Sequence, residues 1–349
     1  MDPWVLLSGG YPPMRDGIGD HTRRLAREMA KSVPVEVWTA RLPGRAPDDG
    51  FPVREVFDPL RPSSIRQIGR GKVLVQYNPF GFGPRGFNPW LAGALSGSEV
   101  SVMFHETMVP PEGWKFRLMR IYQKAQFRAL VGRAKRIFVS TGRWADEVRR
   151  VRRDANVTLL PVGSNIDRTL LTRAEARQRM GFRQDQVVVG VFGSAHPSRL
   201  LEWIAAGFAR IRAASPDAAL VYVGVDGARL RQVCGDGVVD CGVLAESEVG
   251  DRLIAWDVML APFVDGLSTR RGSVVAAFQH GVPVVSTSRD WTDGILRGRE
   301  GIELVPVEAG ATVFAERCLS CPRAPRESLE IFYREVFDWP VAARTILNV

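Results

Sequence analysis

Histidine and cysteine are both scarce, four of each in 349 residues. His21, His105, His196 and His280 share no helical spacing, and no H-E-x-x-H run occurs, which removes the usual zinc peptidase. There is no G-x-S-x-G elbow and no Walker A loop, so serine hydrolase and P-loop chemistry lack their anchors. Cys318 and Cys321 in "RCLSCP" resemble half of a metal or redox site, but the second ligand pair is missing and they sit in the last quarter of the chain. We read them as thiols on or near a helix. No apolar run approaches the roughly 20 residues of a membrane span. The start, "MDPWVLLSGG", has an acidic second residue and no basic region, unlike a signal peptide, so the expected location is the cytoplasm.

Acidic residues are missing from one long stretch. Between Gly113 and Ala145 stand nine basic residues and no acidic one, in a chain of net charge +9. Within it Leu118, Ile121, Tyr122, Ala125, Ala129 and Leu130 recur at helical spacing, while Arg117, Arg120, Lys124, Arg128 and Lys135 take other positions. Such a helix, 114–136, is either a solvated face or one that rests on anionic lipid headgroups, peripheral on the inner membrane face. Nucleic acid is not expected, because no aromatic-interleaved platform or reading motif accompanies the charge.

What is present is an ordinary globular balance, 45% apolar and 24% charged, in a chain long enough for two cores. Short β-branched runs ("WVLL", "VEVW", "VLVQY", "VSVMF", "RIFVS") alternate with helical segments starting near Gly19, Asn88, Trp114 and Arg143. The pattern restarts at "VVVGVFG" and continues through "LVYVG", "VVDCG", "DVMLAP", "PVVST" and "IELVPV". This predicts an α/β chain of two doubly wound, Rossmann-like domains facing across a cleft, with ligands at the carboxyl ends of their strands. The segment Pro161 to Arg173, rich in Pro, Gly, Ser and Asn, reads as the linker. The domains are then 1–165 and 166–325, with terminal helices over 326–349 that cross back onto the first.

Two loops carry the candidate chemistry. In "SGGYPPMRDGIGDHTRRLAREM" the glycines Gly17 and Gly19 precede a helix, but Thr22 stands where a dinucleotide fingerprint needs its third glycine, and "VWTAR" offers no acidic residue for a ribose. The loop is either purely structural or lets backbone and a helix start meet an anionic or hydroxyl-rich ligand. In "PFVDGLSTRRGSVVAAFQHGVPVVST", Arg270 and Arg271 come just before Gly272 and Ser273, which open a helix. Two guanidiniums and the exposed amides of a helix start suit a diphosphate. Arg199, at the start of the helix after "VFGSAHPS", brings a third cation to the same end of the sheet.

Taken together, "YPPMRDGIGDHTRRLA", "FHE" at Phe104 to Glu106, "LLPVGSNID", "FGSAHPSR", "VVDCGVLAESEVGDRLIAWDVMLAPF" and "HGVPVV" make the chain resemble a family-4 glycosyltransferase of the GT-B fold over nearly its whole length. The resemblance implies an acceptor site in the first domain and a donor site in the second. It implies that Gly17 and Gly19 approach the donor diphosphate or sugar, that His105 contacts the transferred sugar, and that Arg199 replaces the family's phosphate-binding lysine. Gly193 lies in the donor loop, and Gly242, Val243 and Leu244 fall where backbone meets the nucleotide base. Asp16, Asp20 and Glu106 are candidates for acceptor hydroxyls. The expected reaction is sugar transfer from a UDP-, GDP- or dTDP-linked donor to a saccharide, lipid-linked or small-molecule acceptor. Retention is implied, with no metal and no cofactor beyond that co-substrate. Three positions depart from the family: of its paired glutamates, the later position is Ala276 and the earlier has only a shifted substitute, Asp265, and the usual arginine shortly before the lysine is absent, with Ser194 following Gly193. A binding protein without turnover, or an epimerase or phosphorylase on a related fold, therefore stays open.

Overall fold

The computed structural model describes residues 2–65, 71–111, 113–235, 237–319 and 326–348, so Cys321 lies outside the described residues. The chain forms two compact units, Met1–Pro161 with Trp339–Val349, and Val162–Asp338. In chain order the first holds β1 (Trp4–Ser8), α1 (Gly17–Met29), β2 (Val35–Ala40), β3 (Val53–Phe57), β4 (Lys72–Tyr77), α2 (Leu91–Ala94), β5 (Glu99–Phe104), α3 (Trp114–Arg133), β6 (Arg136–Val139), α4 (Gly142–Val151) and β7 (Val157–Leu159). The second holds α5 (Arg173–Arg179), β8 (Val188–Phe192), α6 (Leu201–Ala214), β9 (Ala219–Val223), α7 (Gly227–Cys234), β10 (Val238–Asp240), α8 (Glu246–Ala255), β11 (Val258–Ala261), α9 (Gly272–Gln279), β12 (Val284–Ser288), β13 (Ile302–Pro306), α10 (Gly310–Arg317) and α11 (Arg326–Val336). The last helix, α12 (Trp339–Leu347), belongs to the first unit.

Each unit is built on one parallel sheet, in the order β3-β2-β1-β4-β5-β6-β7 and β10-β9-β8-β11-β12-β13. The order reverses direction between β1 and β4, and again between β8 and β11. At such a point the connections leave on opposite faces and open a crevice beyond the carboxyl ends of the strands. Alternation along each strand feeds two faces. In the second unit Val188, Val221, Met259 and Val284 pack with Val249 and Leu253 of α8, Val274 to Phe278 of α9 and Leu329 and Phe332 of α11. Their neighbours Val189, Leu220, Val258 and Val285 face Ile204 and Phe208 of α6 and Phe314 of α10. Cys318, just past α10, is buried in the same layer.

The units divide differently from the sequence expectation in two places. The boundary falls at Pro161 rather than 165, because Val162 donates its N–H to the Thr269 carbonyl (3.3 Å) and packs, with Ile166, on the second core. The terminal helices also part company. Phe332 of α11 packs on Phe278 of α9 (5.9 Å between centroids), whereas Trp339, Ala342, Ala343 and Ile346 of α12 join the core under α1. Strands β3 and β7 have no counterpart in the sequence reading. Both are edge strands, and their half-exposed residues leave no continuous apolar run.

Of the stripe expected on helix α3, Leu130 is buried and Tyr122 half-buried, but Leu118, Ile121, Ala125 and Ala129 turn outward. Its buried residues are Gln123, Phe127, Leu130 and Val131. Gln123 is tolerated there because its Oε1 accepts from the Val109 N–H (2.9 Å) and its Nε2 donates to the Arg85 carbonyl (3.2 Å). Leu118 and Ile121 are instead 58% and 68% exposed. Among the described residues, no helix is long and apolar enough to cross a membrane.

Candidate functional site

The second unit gathers most of the expected anion-binding residues at its switch point. Strand β8 ends at Phe192, and Gly193 follows with φ +103, a left-handed conformation that a side chain would strain. A Cβ there would lie 3.2 Å from Nη2 of Arg199 and 3.6 Å from Cβ of Ser273, so the bare backbone of residue 193 separates the arginine from the start of α9. Arg199 is held by pairing across to the segment after β11, as a bridge with Phe263 and through the Leu200 N–H to the Pro262 carbonyl (3.1 Å).

The Arg199 side chain is 7% exposed. Its Nη2 donates to the Phe192 carbonyl (2.7 Å), while its Nε and Nη1 are buried without a hydrogen-bond partner. A guanidinium carries five donors, and leaving two nitrogens dry and unpaired is costly unless something absent from the protein itself accepts from them. Burial pulls its pKa down to about 10; Tyr222 opposes the shift and the Arg271 charge adds to it. Arg199 is therefore still a cation at neutral pH.

Arg271 lies beside it. Both guanidiniums stand over the Phe263 ring, at 4.1 Å for Arg271 and 5.4 Å for Arg199. Asp265 pairs with Arg271 through Nη2 (2.8 Å) and lies 3.6 Å from Nη2 of Arg270, whose guanidinium covers Trp291 at 4.7 Å. Burial lowers the Arg271 pKa, and Asp265 counters it. No side chain caps α9. The Gly272 N–H is already given to the Arg270 carbonyl (3.1 Å), so of the two expected helix-start amides it is that of Ser273, whose side chain lies beside Gly193, that does not share this commitment. Three guanidiniums and one carboxylate thus meet beside an uncapped helix start, an arrangement able to hold a dianion.

The residues expected to meet the base stand further along the sheet, after β10. Gly242 has φ +63, donates to Asp240 Oδ1 (3.0 Å) and accepts from the Gly224 N–H (2.8 Å). Val243 is 67% exposed, and Leu244 packs on the core.

In the first unit the expected residues have internal partners. Asp16 is the N-cap of α1 and its carboxylate accepts from the Gly19 N–H (2.9 Å). That carboxylate occupies the helix-start amide and dipole that an external anion would use. Gly19 is needed for packing, since a Cβ would lie 3.1 Å from the backbone of Gly10 and Tyr11, whereas a Cβ on Gly17 meets nothing within 4 Å. Asp20 and Glu106 are half-buried. His105, just past β5, is 7% exposed, with Nε2 2.7 Å from Oε1 of Gln76. Its ring meets His21 edge-on at 4.8 Å, and His21 meets Trp339 at 4.9 Å. Burial lowers the His105 pKa to about 3, so the ring is neutral at neutral pH. His21 is likewise driven well below the usual range, by burial and by His105.

The sequence reading missed Phe263 as a shelf for two guanidiniums, Trp291 beneath Arg270, and Asp265 as the counter-ion of the arginine pair. Asp265 and the two arginines do share the seven-residue stretch Asp265–Arg271, a signal that local charge pairing could have exposed; Trp291 arrives from the loop after β12 with no local signal. Among the described residues, no group of three or more His, Cys, Asp or Glu side chains converges as metal ligands would.

Residues 183–321 match the family model for glycosyl transferases group 1, a match that supports glycosyl transfer. No curated protein matches the chain by sequence. The sucrose-phosphate synthase of Thermosynechococcus elongatus superposes with a TM-score of 0.75 at 17% identity, covering 100% of this chain and 98% of that one. WaaG, a glycosyltransferase involved in lipopolysaccharide biosynthesis, gives 0.70 at 16% identity over 99% and 100%. HepE of Anabaena, in complex with UDP and glucose, gives 0.70 at 11% identity over 100% and 99%. The chain thus has the fold of the GT-B glycosyltransferases, and its second unit carries the match to glycosyl transferases group 1.

Proposed function

We propose that this protein is a glycosyltransferase that moves a sugar from a nucleoside diphosphate to an acceptor hydroxyl, with retention of configuration and without a metal ion. The observation that carries the reading is the buried Arg199 guanidinium with two unpartnered nitrogens, beside Gly193 and the uncapped start of α9. A diphosphate there satisfies those donors and the charge of Arg271 at once.

Breaking the bond between sugar and phosphate builds negative charge on the departing oxygen. Arg199, Arg271 and the Ser273 amide are fixed before the reaction begins, so they stabilise that charge without reorganising; losing one such donor typically costs about 3 kcal/mol of barrier. Arg270 adds longer-range attraction. These cations supply what a divalent ion would otherwise supply, and with retention a donor phosphate oxygen helps take the acceptor proton. Gly242, Val243 and Leu244 border the base, which belongs to UDP, GDP or dTDP; HepE is known in complex with UDP-glucose. In the first unit, neutral His105 and the half-buried Asp20 and Glu106 serve the sugar and the acceptor. Asp16 serves only through the shape it gives the loop. The acceptor is a saccharide, free or lipid-linked.

Thermal unfolding with UDP, GDP and dTDP, followed by turnover assays on the matching nucleotide sugars, tests the reading. At a hundred times its Kd, the right nucleotide adds about 2.7 kcal/mol of stability. Failure of all three to raise the Tm overturns the diphosphate site. Binding without transfer or hydrolysis of any sugar donor leaves the non-catalytic alternative.

A further inference from the structure

Helix α3 packs along one side only. Trp114, Leu118, Ile121 and Ala125 fall at i, i+4, i+7 and i+11, one line along a helix, and this line lies opposite the buried Gln123, Phe127, Leu130 and Val131. Trp114, Leu118 and Ile121 are 72%, 58% and 68% exposed, and Ala125 is exposed with them. An apolar ridge of this size pointing outward is not explained by the protein's own core.

Charge frames the ridge. Arg117, Lys124 and Arg128 run along one flank and Lys115 along the other, all exposed. Among the described residues none of these four makes an ion pair, and no acidic residue occurs from Gly113 to Ala145. Arg120 is different: its Nη1 donates to the Val109 carbonyl (2.7 Å) and ties the helix to the preceding loop.

We infer that this face of α3 is a docking surface for an anionic lipid bilayer, with Trp114, Leu118 and Ile121 entering the headgroup layer and the flanking cations lying among lipid phosphates. The occupant follows from the pairing of features. A second copy of this chain would set like charges against like, and a convex ridge offers no groove to a peptide. A helix with an apolar line bordered by a row of arginine and lysine on one flank and by Lys115 on the other suits an interface that is apolar below and negative above. This deepens the lipid-linked branch of the proposed acceptor and rests on that reading only for its biological purpose, because docking needs no donor.

The test uses the full-length protein and vesicles of phosphatidylcholine, with and without about 30% phosphatidylglycerol. The wild type should float with the anionic vesicles, not with the neutral ones, and should be released by 0.5 M salt. Arg117→Glu with Lys124→Glu and Arg128→Glu should lower partitioning at least about a hundredfold, since each lost cation alone is worth about fivefold. Trp114→Ser with Leu118→Ser and Ile121→Ser should lower it about tenfold or more. Both variants should keep the wild-type circular dichroism and the same Tm shift with nucleotide, which separates failure of docking from failure of the donor site. Absence of flotation in the wild type overturns the inference, as does equal flotation of the charge-reversed variant. Loss on charge reversal with none on removing the ridge reduces it to surface adsorption and overturns insertion. A wild-type dimer dispersed by the ridge variant assigns the face to a second copy.

Discussion

The two switch points share a topology and differ in what they leave unsatisfied. After β1, Gly9 approaches Gly81 so closely that a Cβ on Gly9 would lie 2.4 Å from the Gly81 backbone, and the Asp16 carboxylate caps α1. That end of the first sheet is closed by its own loops, and its helix already holds an anion. After β8, the backbone of Gly193 instead opens onto Arg199, with unpartnered nitrogens, and onto an uncapped helix. Parallel sheets of the same strand order therefore do not dictate a ligand. The decision lies in whether the helix start beside the switch point, α1 in one unit and α9 in the other, meets a carboxylate from its own chain or a cluster of guanidiniums.

The largest effect should come from emptying the second switch point. Arg199→Ala together with Arg271→Ala should lower sugar-donor turnover by about a hundredfold to a thousandfold or more while circular dichroism stays native, and should remove the nucleotide-induced Tm shift. Near-normal turnover would erase the contrast between the units.

Next is the closed side. Gly9→Ala forces a methyl into the Gly81 backbone and should destabilise the protein by about 1–3 kcal/mol in urea unfolding. An unchanged midpoint would mean that the first loop is looser than its contacts imply. Asp16→Ala should cost about 1 kcal/mol as a lost cap and leave turnover within a fewfold of wild type. A collapse of turnover at unchanged stability would instead place Asp16 at the chemistry.

The smallest effect at neutral pH, growing in acid, concerns His21 and His105. Their folded pKa values lie below the usual 6.5, so the unfolded chain binds protons that the folded chain refuses. Stability should be complete above about pH 6.5 and fall as the pH drops toward the folded values. His280 in the second unit is lowered as well, but its Nδ1 donates to the Ala276 carbonyl (2.8 Å) and it has no histidine against it. His21→Leu with His105→Gln should flatten the fall in Tm between pH 7 and 5. An equally steep fall would move the acid sensitivity elsewhere.

Much of the architecture was legible because β-branched runs such as "VLVQY" and "LVYVG" are buried on both faces and need no partner to be recognised. Arg270 and Arg271 were legible too, since they stand directly before a helix. Phe263 and Trp291 were not, because they reach the arginines only once β8, β11 and β12 lie side by side. The start of α1 was ambiguous by nature: "DGIG" reads equally as an aspartate cap or as an anion loop, and only the inward turn of the Asp16 side chain decides. In α3 periodicity identified a stripe but not which way it faces, since two opposite lines of one helix have the same spacing.

The core beneath α1 is assembled from both extremities of the sequence. Trp339 and Ile346 complete it, and the Arg136 guanidinium holds the carbonyls of Thr345 and Ile346. During synthesis all of Val162–Asp338 leaves the ribosome before those residues do. The earlier-made half must therefore wait with an unfinished interior while the later-made half can already fold, reversing the order in which the two reach maturity.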